Sequence, residues 1–230
     1  MIINHNIQYL ILVLFICIGI PAPLNAQLNF FYFSDTLVTQ SVYNEALDHY
    51  QNQRYSEALN SAGFALQKAM QGNQKDLEKK ILILTGNSYY QMKECANALP
   101  YYLRAADIME FTGDSASLIN TYSRIAECYH NEKVYSKEAA YHKKILLLGD
   151  PQDLNTMIYH IEQTGQAFML NDKPDSALTY FHRFNNLLQK NELNNKTALI
   201  SLIRIHRLKE HYDSCLFYST RLLLKKKKKK

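Results

Sequence analysis

Between residues 86 and 106 the chain reads GNSYYQMKECANALPYYLRAA. Small residues fall at Gly86, Ala98 and Ala105, and aromatic ones at Tyr89, Tyr90, Tyr101 and Tyr102. Leu82, Thr85, Gly86 and Tyr89 lie three or four positions apart, so they make one stripe of a helix. Ala98, Tyr102 and Ala105 make a second stripe on the helix that follows. A glycine inside a helix costs about 1 kcal/mol relative to alanine, and close packing has to offset that. Gly86 is therefore expected to let the partner helix approach, with Ala98 as the matching small residue and Tyr89 filling the space a turn further on.

The pattern repeats. Leu82-x-x-Thr85-Gly86-x-x-Tyr89, then Ala98-x-x-x-Tyr102, returns 79 residues later as Ile161-x-x-Thr164-Gly165-x-x-Phe168, then Ala177-x-x-x-Phe181. Midway between them stand Tyr122-x-x-Ile125-Ala126-x-x-Tyr129 and Glu138-x-x-x-His142. Looser copies flank these three. Tyr43, Leu47 and Tyr50 lead to Tyr55, Ala58 and Ala65, while Leu199, Leu202 and Ile203 lead to Tyr212 and Cys215. The arrangement resembles the tetratricopeptide repeat, with a unit of about 40 residues in place of the usual 34 or so and without the family's terminal proline. The resemblance implies an all-α fold, a right-handed α-solenoid of stacked antiparallel helix pairs. Five such repeats are expected over residues 38–224, as ten helices of about 14 to 20 residues joined by turns of two to five. Gly113-Asp114, Gly149-Asp150-Pro151 and Asn171-Asp172-Lys173-Pro174-Asp175 read as helix ends followed by caps and first-turn prolines.

Composition agrees with a folded helical chain. Of 230 residues, 47% are hydrophobic and 20% charged, with seven glycines and five prolines. The net charge of +5 comes from the closing run Lys225 to Lys230, and the rest of the chain sums to −1. No basic stripe is left to support nucleic-acid binding. The run straight after three leucines reads as the artificial end of a fragment, with anionic lipid as its other possible target.

The N-terminus is of another kind. An apolar run from Tyr9 to Ile20, then prolines, then Leu24-Asn25-Ala26 has the length of a signal-peptide core and is short for a bilayer span. Residues 1–26 are expected to be a signal peptide and 27–37 a linker, giving a secreted or periplasmic protein with no membrane span in the mature chain. Cleavage after Ala26 leaves Cys95, Cys128 and Cys215. An oxidising compartment allows one Cys95–Cys128 bridge. The alternative is three packed thiols at positions that take small apolar residues.

Catalytic signatures are missing. The chain has no phosphate loop, no dinucleotide fingerprint and no His-Glu-x-x-His. His206 and His211, five apart, do not share a helix face, and adjacent Glu127, Cys128 and His130 point in different directions. No metal, cofactor or catalytic residue is expected, so the chain reads as a non-enzyme.

The resemblance places the first helix of each repeat along a groove. Tyr43 and Tyr50 would line it from the first repeat, and Asn87, Tyr90 and Gln91 from the second. Glu127, His130 and Asn131 follow from the third, then Tyr159, Glu162 and Gln166 from the fourth. This mixture of rings and amides suits a protein or peptide ligand, and a solvated helix face is the alternative for each residue. His130 beside Glu127 would strengthen binding of an acidic ligand on mild acidification. A carboxylate clamp known in one subtype is incomplete, because Asn87 and Arg124 match it while Ile83 and Tyr159 stand at its lysine positions. The function expected is a peptide-binding scaffold of the cell envelope. The alternative is the periplasmic sensor region of a truncated membrane histidine kinase or transcriptional regulator, whose exported arrays this one resembles.

Overall fold

With few prolines or glycines to interrupt it, the chain runs helix after helix. The computed structural model describes residues 24–149 and 153–227. Among these residues there are ten α-helices and no strands: α1 (Leu24–Gln51), α2 (Tyr55–Gln71), α3 (Lys75–Gln91), α4 (Cys95–Thr112), α5 (Ser115–Asn131), α6 (Tyr135–Leu148), α7 (Leu154–Leu170), α8 (Pro174–Lys190), α9 (Lys196–Leu208) and α10 (Tyr212–Lys227). The fold is an all-α repeat solenoid. Residues 1–23 of the expected signal peptide, the Asp150-Pro151 cap and Lys228–Lys230 lie outside the described residues.

Two helix lengths differ from expectation. At 28 residues α1 takes in the whole of 27–37, which had been read as a linker. Nothing between Gln27 and Leu37 is proline or glycine, so the helix extends back without a stop. At the other extreme α9 has 13 residues. Asp153 caps α7 by accepting from the Thr156 amide at 3.1 Å. Asp114 caps α5 as expected, accepting from the Ser117 amide at 3.2 Å.

The turns share one construction. At eight of them a single residue sits in the left-handed region: Gln53, Asn73, Lys93, Gly113, Lys133, Asp172, Glu192 and Glu210 have φ between 50° and 72°. In each, the next amide bonds back to a carbonyl five residues earlier, as Arg54 does to His49 and Glu94 to Tyr89, both at 2.9 Å. This is the Schellman closure, which satisfies carbonyls left open at a helix end. Glycine is the residue suited to that conformation, yet it stands at only one of the eight turns.

The chain divides into two compact units, one up to Ile108 and the other from Met109 on. In the first unit α2 buries an alanine stripe, Ala58, Ala62, Ala65 and Ala69. Its narrow face packs with Ala46, Leu77, Ile81 and Leu84, and Val42, Tyr43, Leu47 and Tyr50 close over the cluster. Gly86 is filled by the ring of Tyr102. A Cβ placed on Gly86 would lie 2.7 Å from Tyr102 Cε1. The Tyr102 hydroxyl donates to Asn87 Oδ1 at 2.7 Å.

In the second unit Gly165 receives Phe181 in the same way, its absent Cβ falling 2.8 Å from Phe181 Cε1. Two clusters carry the packing there. Ile161, Phe184, Leu188 and Ala198 form one, and Ala177, Phe181, Leu202 and Ile205 the other. A ring pair marks the register of the repeat: Tyr89–Tyr101, Tyr129–Tyr141 and Phe168–Tyr180 have centroids 5.6, 5.7 and 5.5 Å apart. No disulfide joins Cys95, Cys128 and Cys215; the first two are buried and the third is half-buried.

Candidate partner-binding surface

The residues expected along the groove have different surroundings. In the first unit Tyr43 and Tyr50 are half-buried against the Ala46 cluster. Tyr50 also packs on Tyr55, with centroids 5.7 Å apart, and burial pushes the Tyr43 hydroxyl up. Both rings are thus engaged in joining α1 to α2. The Asn87 carbonyl oxygen is engaged by Tyr102. Tyr90 is half-buried, and Gln91 is exposed at the end of α3.

In the second unit Glu127 pairs with Arg124 at 2.9 Å. His130 therefore has a different carboxylate partner from the one expected: its Nδ1 lies 3.1 Å from Glu138 Oε1. Asn131 is exposed at the end of α5. On α7 the Gln166 amide donates to Glu162 at 3.4 Å, and burial raises the Glu162 carboxyl.

Tyr159 lies among these groups. The residue is 48% exposed, and its ring rests edge-on to His142 and His160. Burial raises its hydroxyl, and the carboxylates of Glu127, Glu138 and Glu162 raise it further. The sequence placed Tyr159 on this surface, and the structure brings it close to carboxylates from α5, α6 and α7.

Beneath it runs a buried polar chain that sequence reasoning missed. Glu138 and His142 occupy the register of Ala98 and Tyr102, where the second and fourth repeats hold alanine and an aromatic ring. Glu138 Oε1 is 4.0 Å from His142 Nε2, and His142 Nδ1 is 3.0 Å from His160 Nδ1. One of the two nitrogens in the second contact must donate and the other accept. Burial, with His160 and His130 adding to it, lowers His142 to about 3, and burial lowers His160 as well. Burial raises Glu138 against the pull of His130. The signal was in the sequence. Two polar residues had replaced a small one and a ring in an otherwise regular stripe.

Shallow cavities lie elsewhere. One of about 470 Å³ in the first unit is lined by Thr36, Gln40, Gln74, Lys75, Asp76 and Lys80. One of about 320 Å³ in the second is lined by Glu110, Ser115, Leu118, Tyr122, Lys144 and Leu147. Among the described residues no helix is long and apolar enough to cross a membrane.

The fold has known counterparts. No protein-family model matches the chain, and no curated protein matches it in sequence. Solved structures do. The apo form of RapI superposes with a TM-score of 0.65 at 13% identity, over 86% of this chain and 58% of its own. This chain thus spans a little over half of RapI. A putative kinesin light chain from Podosopora anserina with nearly identical TPR-like repeats matches with a TM-score of 0.60 at 11% identity, over 83% of this chain and 96% of its own. A signal transduction ATPase from Pyrococcus horikoshii with a tetratricopeptide repeat sensor gives 0.60 at 17%, over 81% and 30%. The chain is a tetratricopeptide-type repeat protein in fold.

Proposed function

We propose that the chain is a non-catalytic scaffold that binds a protein or peptide, and that its contact surface in the second unit is the α5–α7 face around Tyr159. One observation carries this reading. Tyr159 remains 48% exposed among carboxylates from three helices, whereas the tyrosines of α1 are engaged in packing. An exposed, rigid ring with polar groups around it is the kind of anchor that dominates peptide and protein contacts. Repeat arrays of this fold offer extended surfaces for such partners. The experiment is site-specific photocrosslinking in an envelope extract, with a photoreactive residue at position 159 or at exposed Phe111. A partner captured from 159 and not from 111 is the expected result. In binding assays with that partner, Tyr159→Ala should cost about 2 kcal/mol, close to thirtyfold in affinity. Equal capture at both positions would remove the α5–α7 face from consideration.

Location belongs to the same proposal. Export with cleavage after Ala26 would start the mature chain at Gln27, which N-terminal sequencing of envelope material reads directly. A second reading, the sensor region of a larger signalling protein, draws on the Pyrococcus horikoshii protein, whose tetratricopeptide array is named as its sensor. Sequencing the gene past the codon for Lys230 tests it. An apolar run of about 20 residues there would favour the sensor.

A further inference from the structure

The charges around Tyr159 are out of balance. Tyr159, Glu162 and Gln166 fall at i, i+3 and i+7 of α7, so they share one stripe. Arg124, Glu127 and Asn131 make the corresponding stripe on α5. α6 adds Glu138, and the carboxylates of Glu127, Glu138 and Glu162 all act on the Tyr159 hydroxyl. Arg124 pairs with Glu127 at 2.9 Å. Glu162 takes a neutral donor, the Gln166 amide, at 3.4 Å. Glu138 is 2% exposed, and only its Oε1 faces His130; its Oε2 is buried without a hydrogen-bond partner. The imidazoles against Tyr159 do not restore the balance. His142 and His160 bond to each other through facing nitrogens, one of which must accept, and burial favours the neutral form of both.

The ring supplies the second half of a cation site. Neither imidazole lies flat on it, since their planes stand at 87° and 80° to its own. The face of a tyrosine ring attracts an ammonium or guanidinium group. Guanidinium also stacks on such a face and keeps its fork of N–H donors for nearby carboxylates. The chain builds this device once from its own residues. Lys144 sits 4.8 Å from the centroid of Tyr122 and 3.4 Å from a Glu110 oxygen. At Tyr159 the ring and the carboxylates are present on a residue that is half exposed.

We propose that this face recognises a basic side chain of the partner peptide, arginine before lysine, with the cation over the Tyr159 ring and against Glu162, and the charges of Glu127 and Glu138 behind it. The proposal rests on the α5–α7 face being the contact surface and names the chemistry that it selects. An incoming cation offsets a carboxylate charge that the fold leaves under-compensated, and complementary charge fixes which partner binds. An acidic peptide would instead bring like charge against three carboxylates. Arginine ranks first because its planar donors can reach carboxylates while the group stacks, which a point charge cannot do.

The test uses the full chain and three pools of immobilised, acetylated and amidated heptapeptides at pH 7.5. Their flanks are random but free of arginine and lysine, and the central residue is arginine, citrulline (its neutral isostere) or glutamate. The arginine pool should retain about tenfold more chain than the citrulline pool, and the glutamate pool less than either. Added salt should shrink the difference. Glu162→Gln is a near-isosteric change at a half-buried position, so it should stay folded and lower the arginine-to-citrulline ratio about fivefold or more. Tyr159→Phe retains the ring and should keep the ratio, while Tyr159→Ala should lose it. Glu57→Gln, exposed in the first unit, should change nothing. Equal retention on the arginine and citrulline pools, or a ratio that Glu162→Gln leaves intact, would overturn the proposal. Capture of a partner from position 159 together with equal retention would keep the scaffold and remove the cation, so the two failures are distinguishable.

Discussion

A single methyl group distinguishes Ala126 from Gly86 and Gly165, and the residue paired with each changes accordingly. The two glycines receive the six-membered rings of Tyr102 and Phe181. At the alanine position the register supplies the smaller imidazole of His142. Close-packed interiors register one methylene, so size at one position constrains size at its counterpart. Gly165→Ala should therefore destabilise the protein by about 1–3 kcal/mol, although alanine is the better helix former by about 1 kcal/mol. A urea denaturation curve measures this, and an unchanged or raised midpoint would mean that the Phe181 ring yields freely. Gly63 is the internal control, since a Cβ there meets nothing within 4 Å. Gly63→Ala should stabilise by up to about 1 kcal/mol.

At the level of the element, the turns store recoverable strain. A non-glycine residue in the left-handed conformation costs about 1–2 kcal/mol. Glycine removes this cost, but its freer unfolded chain takes back about 0.4–1 kcal/mol of the gain. Lys93→Gly and Lys133→Gly, at φ 65° and 58°, should each gain about 0.5–1 kcal/mol. Gly113→Lys, at φ 72°, should lose a similar amount. Thermal melts of the three variants check the sign, and a destabilised Lys93→Gly would show that the lysine side chain itself supports the turn. The repeat was legible from its packed stripes, but this strain was not. The sequence at the turns varies from glutamine to lysine to glutamate, because the backbone hydrogen bonds fix the conformation and the side chains are largely exposed.

For the whole molecule, the buried histidines make stability a function of pH. His142, His160, His182 and His206 all titrate below the ordinary histidine range because burial disfavours their charged forms. Between about pH 6.5 and the folded pKa, which for His142 is about 3, the unfolded chain binds the extra proton. Their contribution is therefore complete above about pH 6.5 and is lost as the pH falls. Glu138 and Glu162 act oppositely, since their raised carboxyls are relieved by protonation as the pH falls. With four histidines against two carboxyls, net stability should drop from pH 7 to pH 5. His142→Gln should flatten the slope by up to one proton, about 1.4 kcal/mol per pH unit. Urea midpoints at pH 7.5, 6 and 5 would show it, and parallel curves for the two proteins would mean that His142 is solvated.

Periodicity carried most of the fold. Gly86, Tyr102, Gly165 and Phe181 at fixed offsets were enough to reveal helix pairs and their repeat, because a residue that packs in a helix must recur every three or four positions. The stretch from Gln27 to Leu37 was expected as a linker and is helix, because no breaker interrupts it. What one chain position does to another far away was not legible. Periodicity assigns a face, not a neighbour. It could not show that Tyr43 and Tyr50 would be engaged in packing while Tyr159 stays exposed. It put His130 beside Glu127, and tertiary packing gave it Glu138 instead. It separated His206 from His211 by helical geometry, and a left-handed residue at Glu210 brought their rings together. Local stripes follow from bond geometry along one helix. Hydrogen-bond partners, unpaired nitrogens and shifted pKa values follow from which helices meet, and only the assembled core decides that.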